Sequence, residues 1–490
     1  MNRYLLFLLL IPLLGIGQTQ IGQKIEGDTG TDAFGQSVAI SSDGNIVAVG
    51  AYRNDSNGPL SGHVRVYENI GGTWTQIGDD IEGEASGDGC GESIALSADG
   101  SIIAVGSPAN DDGGADSGHV RVFENISATW TQIGDAIEGD AQFDYFGRSV
   151  ALSADGSTVA IGSREHNGNG PDSGQVKVFE NVQGIWTQIG QDIYGLQPGD
   201  GLGRSLSLSS DGSILAVGSQ YLSTAGGPTG YSIIYENVQG TWTQIGQVLA
   251  GTTPLNRFGV SVSLSSDGTI VAIGGSGYTI GGNSQLGNVR IFENISGTWT
   301  QIGSDIVGEN PMDQSGGSIS LSSDGTIIAI GATGNDNAGN AAGHVRVYQN
   351  TSNTWSQVGS DINGEAAQDL LGSSVSLSDT GDKLVIGATT NFTSTTKNGY
   401  AKVYDLSGVL SSDKFTKTSF TIYPNPATDV LNISLENDVL LENVTIYNNL
   451  GQKIKSLKQN TVDVSTLAKG LYFVEVTTNQ GKASKKVIVE

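Results

Sequence analysis

A single cysteine, Cys90, leaves the chain without a partner for an internal disulfide. Basic residues are scarce as well: 24 Lys and Arg stand against 50 Asp and Glu, a net charge of -26. The deficit is uneven, because residues 413–490 hold nine Lys against eight acids and leave the whole imbalance to the rest of the chain. Phosphate binding draws on clustered Lys and Arg, so nucleic acid is excluded as a partner. Low lysine with abundant Asp, Gly and Ser suits an extracellular surface. No segment reaches eighteen consecutive apolar residues, so no transmembrane helix is expected. Nor does any stretch carry the 3.6-residue period of an amphipathic helix, which points to an all-β fold.

At the N-terminus, Met1-Asn2-Arg3-Tyr4 leads into the apolar run Leu5 to Leu14, and the small residues Gly15 and Gly17 flank Ile16. This is the pattern of a signal peptide over residues 1–17, with a mature start near Gln18. A lipid anchor would need a cysteine at that start, and none is there.

Six tryptophans, Trp74, Trp130, Trp186, Trp242, Trp299 and Trp355, each open the phrase Trp-Thr-Gln-Ile-Gly or its variant Trp-Ser-Gln-Val-Gly, at spacings of 56, 56, 56, 57 and 56 residues. A seventh copy, Thr19-Gln20-Ile21-Gly22, has Gln18 in the tryptophan's place. Such a period belongs to a solenoid, a propeller or a repeat array. Within a unit, Ser37 to Ser41 and His63 to Tyr67 alternate with period two, Ile46 to Val49 is continuously apolar, and Trp74 to Ile81 supplies a fourth segment. These are strand signals bounded by turn residues. Asp43-Gly44 and its copies at Asp99, Asp155, Asp211, Asp267 and Asp324 supply the positive φ of a tight hairpin, and an aromatic ends every third strand, from Tyr67 to Tyr404.

The seventh unit, Leu371 to Tyr404, has no fourth strand after Asp405, whereas an extra strand, Gln18 to Glu26, precedes the first unit. A ring lets that strand complete the last sheet and leaves no long exposed edge. The expected architecture is therefore a seven-bladed β-propeller over residues 18–408, closed by its N-terminal strand.

At Phe34-Gly35-Gln36-Ser37-Val38-Ala39, Val47-Ala48-Val49-Gly50-Ala51 and Gly62-His63-Val64-Arg65-Val66-Tyr67 the repeat resembles the FG-GAP blade of integrin α-subunit propellers. That family carries an Asp-x-Asp-x-Asp-Gly calcium loop between the first two strands. Here only Ser-x-Asp-Gly remains, so that site is expected to be lost. After a linker over residues 409–419, residues 420–490 resemble the type A C-terminal sorting domain of the type IX secretion system. Tyr423, Pro424, Asn425, Pro426, Gly451, Gly470, Tyr472, Lys485 and Lys486 carry the resemblance. By pattern alone this segment is a small β-sandwich. The resemblance implies export by gram-negative type IX machinery, via the periplasm, to the medium or the cell surface.

Strand alternation places the connections from second to third strand, and from fourth strand to the next blade, on one face; binding residues concentrate on such loops. Asn110, Asp111, Asp112 and Asp116, with Asp88 of the neighbouring connection, form the densest acidic group there. Calcium is the cation their oxygens would take; a solvated acidic loop is the plainer reading. The tryptophans are expected between blades rather than as sugar platforms. His63, His119 and His344 share one repeat position with Gln175, Tyr231, Asn288 and Tyr400, an exchange that speaks against a metal or acid-base role, and His166 stands alone in its loop. Cys90 takes the place of Phe34 and reads as a small buried residue. No metal site, no resident cofactor and no catalytic set is expected. The leading expectation is a monomeric, non-enzymatic secreted or surface propeller that binds a protein or glycan, with adhesion implied by the FG-GAP resemblance. A polysaccharide-acting enzyme and a purely structural surface component are the alternatives.

Overall fold

Each repeat folds as a short antiparallel sheet because alternating β-branched runs are separated by turns that require positive φ. In the first blade the strands are Ser37–Ile40, Ile46–Ala51, His63–Ile70 and Thr73–Gln76, with Ile81–Glu82 pairing back onto the third. The computed structural model describes residues 17–29, 31–221, 229–282, 284–390, 398–410, 420–435, 441–448, 453–478 and 481–489. The expected signal peptide, apart from Gly17, lies outside these residues, as does Gly451. The chain divides into two compact units, Met1–Leu410 and Ser411–Glu490.

Among the described residues the first unit holds seven such sheets. In the seventh, Leu371–Leu377, Lys383–Ala388 and Tyr400–Asp405 are completed by Thr19–Glu26, which pairs Thr19 with Asp405 and Ile25 with Ala401. Two inner rings show closure directly. Backbone N–H groups at the Asp-Gly end donate from each blade to the next: Ser42 to Ala98, Ala98 to Ala154, Ala154 to Ser210, Ser210 to Ser266, Ser266 to Ser323, Ser323 to Asp379, and Asp379 back to Ser42, all at 2.8–3.1 Å. At the other end of the same strands the hydroxyls of Ser37, Ser93, Ser149, Ser205, Ser261, Ser318 and Ser374 donate to the glycine carbonyl of the following blade, with Ser374 reaching Gly35 at 2.8 Å. Ile40, Leu96, Leu152, Leu208, Leu264 and Leu321 line a central cavity beside the first of these rings.

The Trp phrase is an interlock between neighbouring blades. Indole Nε1 of Trp74, Trp130, Trp186, Trp242, Trp299 and Trp355 donates to the carbonyl of Ile21, Ile77, Ile133, Ile189, Ile245 and Ile302, at 2.9–3.2 Å. The glycine after each isoleucine makes room for the ring: at Gly78, φ 74°, a Cβ would stand 2.9 Å from the Trp130 ring. These rings are buried or half-buried between blades, as expected. Between blades 6 and 7 the link is weaker, since Gln18 reaches the Val358 carbonyl at 3.5 Å where other blades have an indole. Val409 and Leu410, read from sequence as the start of the linker, pack instead against the seventh blade.

The second unit is a sandwich of a three-stranded sheet, Phe420–Tyr423, Val430–Leu435 and Thr461–Asp463, and a four-stranded one, Lys453–Leu457, Leu441–Asn448, Gly470–Thr478 and Gly481–Val489. Phe420, Leu431, Ile433, Val444, Ile446, Val474 and Val487 fill its core.

Candidate functional site

The five acidic-loop residues do not form one cradle. Asp88 is buried, and its Oδ2 accepts the N–H groups of Glu84 and Ala85, both at 2.8 Å. Asp32, Asp144, Asp200, Asp313 and Asp369 hold the same turn in other blades, so Asp88 is a loop-forming residue of the repeat. Asn110 Oδ1 accepts from the Asp112 N–H at 2.9 Å and Asp111 Oδ1 from the Asp116 N–H at 2.8 Å, bonds that Asn54 and Asp55 repeat in blade 1. Asp116 takes the Tyr145 hydroxyl at 3.5 Å. Asp112 alone of the five joins a possible ligand cluster, with Glu84 and His119, among the described residues. The Ser-x-Asp-Gly turns use their oxygens internally too: Asp43 Oδ1 accepts from the Ser41 hydroxyl and the Asn45 N–H.

A different group gathers on the same face. Among the propeller arginines, Arg65, Arg121, Arg290 and Arg346 sit two residues into a third strand. The others, Arg53, Arg148, Arg164, Arg204 and Arg257, all stand where the loop-face connections meet the strands. Arg148 and Arg204 lie at the inner strands of blades 3 and 4, and Arg164 just after the second strand of blade 3. Burial, with Arg164 and Arg148 as like-charged neighbours, pulls the Arg204 guanidinium down to about 10, still a cation at neutral pH. Its buried Nε has no hydrogen-bond partner. Glu92 pairs with Arg148 at 3.5 Å, Glu165 with Arg164 at 2.5 Å, and the second Glu165 oxygen is buried without a partner. The Arg148 guanidinium lies 5.8 Å from the Tyr145 ring centre. Planar guanidinium forks beside an aromatic face suit a carboxylate- or sulfate-bearing ring.

Around this mouth, the connections between blades project apolar tips. Phe143, Leu255 and Met312 occupy one repeat position, are 55%, 64% and 49% exposed, and hold φ of 64°, 60° and 71°. Bulky residues in left-handed backbone are uncommon and gather where a loop is shaped for contact. Sequence reasoning passed over the arginines because it weighed motifs along the chain. Their signal was variation: Gln36, Glu92, Arg148, Arg204, Val260, Gly317 and Ser373 share one position inside an otherwise regular repeat.

In the second unit, Asn425 Nδ2 donates to the Lys486 carbonyl at 3.1 Å and its Oδ1 accepts from the Ile488 N–H at 2.9 Å, which fastens Tyr423-Pro424-Asn425-Pro426 to the last strand. The Tyr472 hydroxyl donates to the Ala468 carbonyl at 2.9 Å, Gly470 has φ 156°, and Lys485 Nζ donates to the Phe420 carbonyl. The side chain of Lys486 is exposed.

Closed four-stranded blades in one unit and a small sandwich in the other define an exported propeller with a sorting tail. The chain carries FG-GAP repeats, matched over residues 27–67 and 130–179, and a secretion system C-terminal sorting domain, matched over residues 421–490. That tail marks export by the type IX secretion system to the cell surface or extracellular space. No helix among the described residues is long and apolar enough to cross a membrane. Beta-agarase D of Zobellia galactanivorans is 41% identical over 70 residues, and the alignment spans 14% of the chain and 14% of that protein. Among solved structures, the periplasmic gluconolactonase of Pseudomonas aeruginosa aligns with a TM-score of 0.44 and 16% identity, over 68% of this chain and 85% of its own. A GH74 enzyme of Niastella koreensis aligns with a TM-score of 0.46 and 13% identity, over 94% of this chain and 67% of its own. One relative, over 14% of the chain, carries a catalytic name, and the expectation of no catalysis is withdrawn. The physical reason is that a propeller draws its polar groups from separate blades, so a reacting pair leaves no short motif.

Proposed function

We propose that the propeller binds an extracellular glycan carrying carboxylate or sulfate groups, seated over the loop-face mouth by Arg148, Arg164 and Arg204. The observation that carries this reading is the gathering of guanidinium groups at one place in a strongly acidic domain. Exposed Phe143, Leu255 and Met312 would flank the polymer, and Tyr145 offers a ring for a sugar face. A second reading, action on the polysaccharide itself, draws on Glu92 and Glu165, because glycosidic cleavage uses two carboxylates. A panel of neutral, uronate and sulfated polysaccharides separates these readings: saturable binding to the anionic members supports the first, and release of reducing ends supports the second. Saturable binding confined to a protein array would defeat both.

A further inference from the structure

His63, His119 and His344 open the third strands of blades 1, 2 and 6, and each is fully buried. Neither ring nitrogen of any of the three has a hydrogen-bond partner. A buried polar group without a partner costs on the order of 1–3 kcal/mol, so three of them at one repeat position call for an explanation.

The arginine two residues further on separates the three sites. In blade 1 the Arg65 guanidinium takes Asp28 at 2.9 and 2.7 Å and Asp80 at 3.0 and 2.9 Å, so both carboxylates beside His63 are held by a cation already present. In blades 2 and 6 the guanidinium turns to the backbone: Arg121 Nη2 donates to the Glu82 carbonyl at 2.6 Å, and Arg346 Nη2 to the matching Val307 carbonyl at 3.1 Å. The paired carboxylate hydrogen bonds of blade 1 are absent there, and carboxylates approach the imidazole. Glu84, Asp112 and His119 bring ligand atoms within 4.8 Å of one another, as do Glu309, His344 and Asp361. His119 Nε2 lies 3.9 Å from Glu84 and its Nδ1 3.8 Å from Glu138, while His344 Nδ1 lies 3.8 Å from Asp361.

We propose that these two clusters bind zinc or a similar divalent cation, one ion in each. One imidazole and two carboxylates supply three ligands and leave a fourth position for water, a set suited to zinc rather than to calcium, which wants six to eight oxygens. Zinc bonds of about 2.0 Å set tetrahedral ligand atoms about 3.3 Å apart, so the exposed carboxylates of Glu84, Asp112 and Glu309 need to draw in by at most about 1.5 Å from separations within 4.8 Å. Each imidazole is fixed at the start of a third strand that is hydrogen-bonded on both sides within its sheet, and these carboxylates sit on exposed side chains. Arg121 and Arg346, at 3.6 and 3.2 Å from Glu84 and Glu309, compete with the ion and moderate its affinity.

The test uses the tag-free chain, dialysed against zinc chloride and assayed for bound metal and melting temperature. About two zinc ions per chain are expected, with a higher melting temperature that calcium does not reproduce. Gln175 occupies the same position in blade 3, so His119→Gln and His344→Gln are replacements the repeat itself accepts. Each should remove one ion, the double variant both, and His63→Gln neither. Absence of bound zinc in the wild-type chain, or full retention by a double variant that melts normally without metal, would overturn the proposal.

Discussion

Trp242 shows how one side chain serves two blades: its ring fills the gap between them and its Nε1 holds the Ile189 carbonyl at 3.0 Å. Trp242→Phe keeps most of the packing and is expected to cost about 0.5–1.5 kcal/mol, whereas Trp242→Ala should cost about 3–5 kcal/mol, both read by chemical denaturation. Equal losses from the two changes would mean that the ring packs little. Charge at the turns gives a pH dependence with a fixed sign. Asp43, Asp99, Asp155, Asp211 and Asp267 are partly buried, which works to raise their pKa, yet hydrogen bonds from the adjoining Ser hydroxyls and backbone N–H groups bring each below the ordinary value. A carboxyl lowered in the folded state stabilises above its unfolded value of about 4, and that contribution is lost as pH falls through the lowered one. The melting temperature should therefore drop below about pH 4, and Asp267→Asn should flatten the drop. A profile identical in the variant would contradict this. The tryptophans and Asp-Gly turns were legible in the sequence because their roles are local and recur at a fixed period. Asp88 was not, because only the folded turn shows its carboxylate facing the N–H groups of Glu84 and Ala85.

At the scale of elements, the strand Thr19–Glu26 carries closure across the chain ends: its partner is Tyr400–Asp405, and Ile25 lies in a core shared with Val47, Val385 and Val403. Deleting residues 18–26 would leave a long edge with unsatisfied backbone groups. The expected outcome is a large fall in melting temperature with aggregation on size-exclusion chromatography, while unchanged melting would contradict closure by this strand. The same seam offers a gain. Gln18 faces Gly359 where Trp355 faces Gly303, so Gln18→Trp should add the missing interlock and stabilise by on the order of 1 kcal/mol. Strand order and the exchange at the ends could be deduced from periodicity and a missing fourth strand, whereas the break of the fourth segment into Thr73–Gln76 and Ile81–Glu82 could not. The third-strand histidine pockets could not, because Glu84 and His119, 35 residues apart, meet only after blades 1 and 2 pack.

For the molecule as a whole, charge and export agree: a chain of net charge -26 carrying a type IX sorting domain is built for an extracellular setting. Against that background the arginine-lined mouth is the local exception, and its composition became visible only when residues from blades 1 to 4 were brought to one end of the inner strands. Binding by the intact chain to uronate and sulfated polysaccharides, measured alongside an Arg148→Ala/Arg204→Ala variant, tests this site most directly. The expected result is saturable binding that weakens at least tenfold, about 1.4 kcal/mol, in the variant while its melting temperature holds. Equal affinity in both proteins, or no saturable binding to any anionic member, would contradict it.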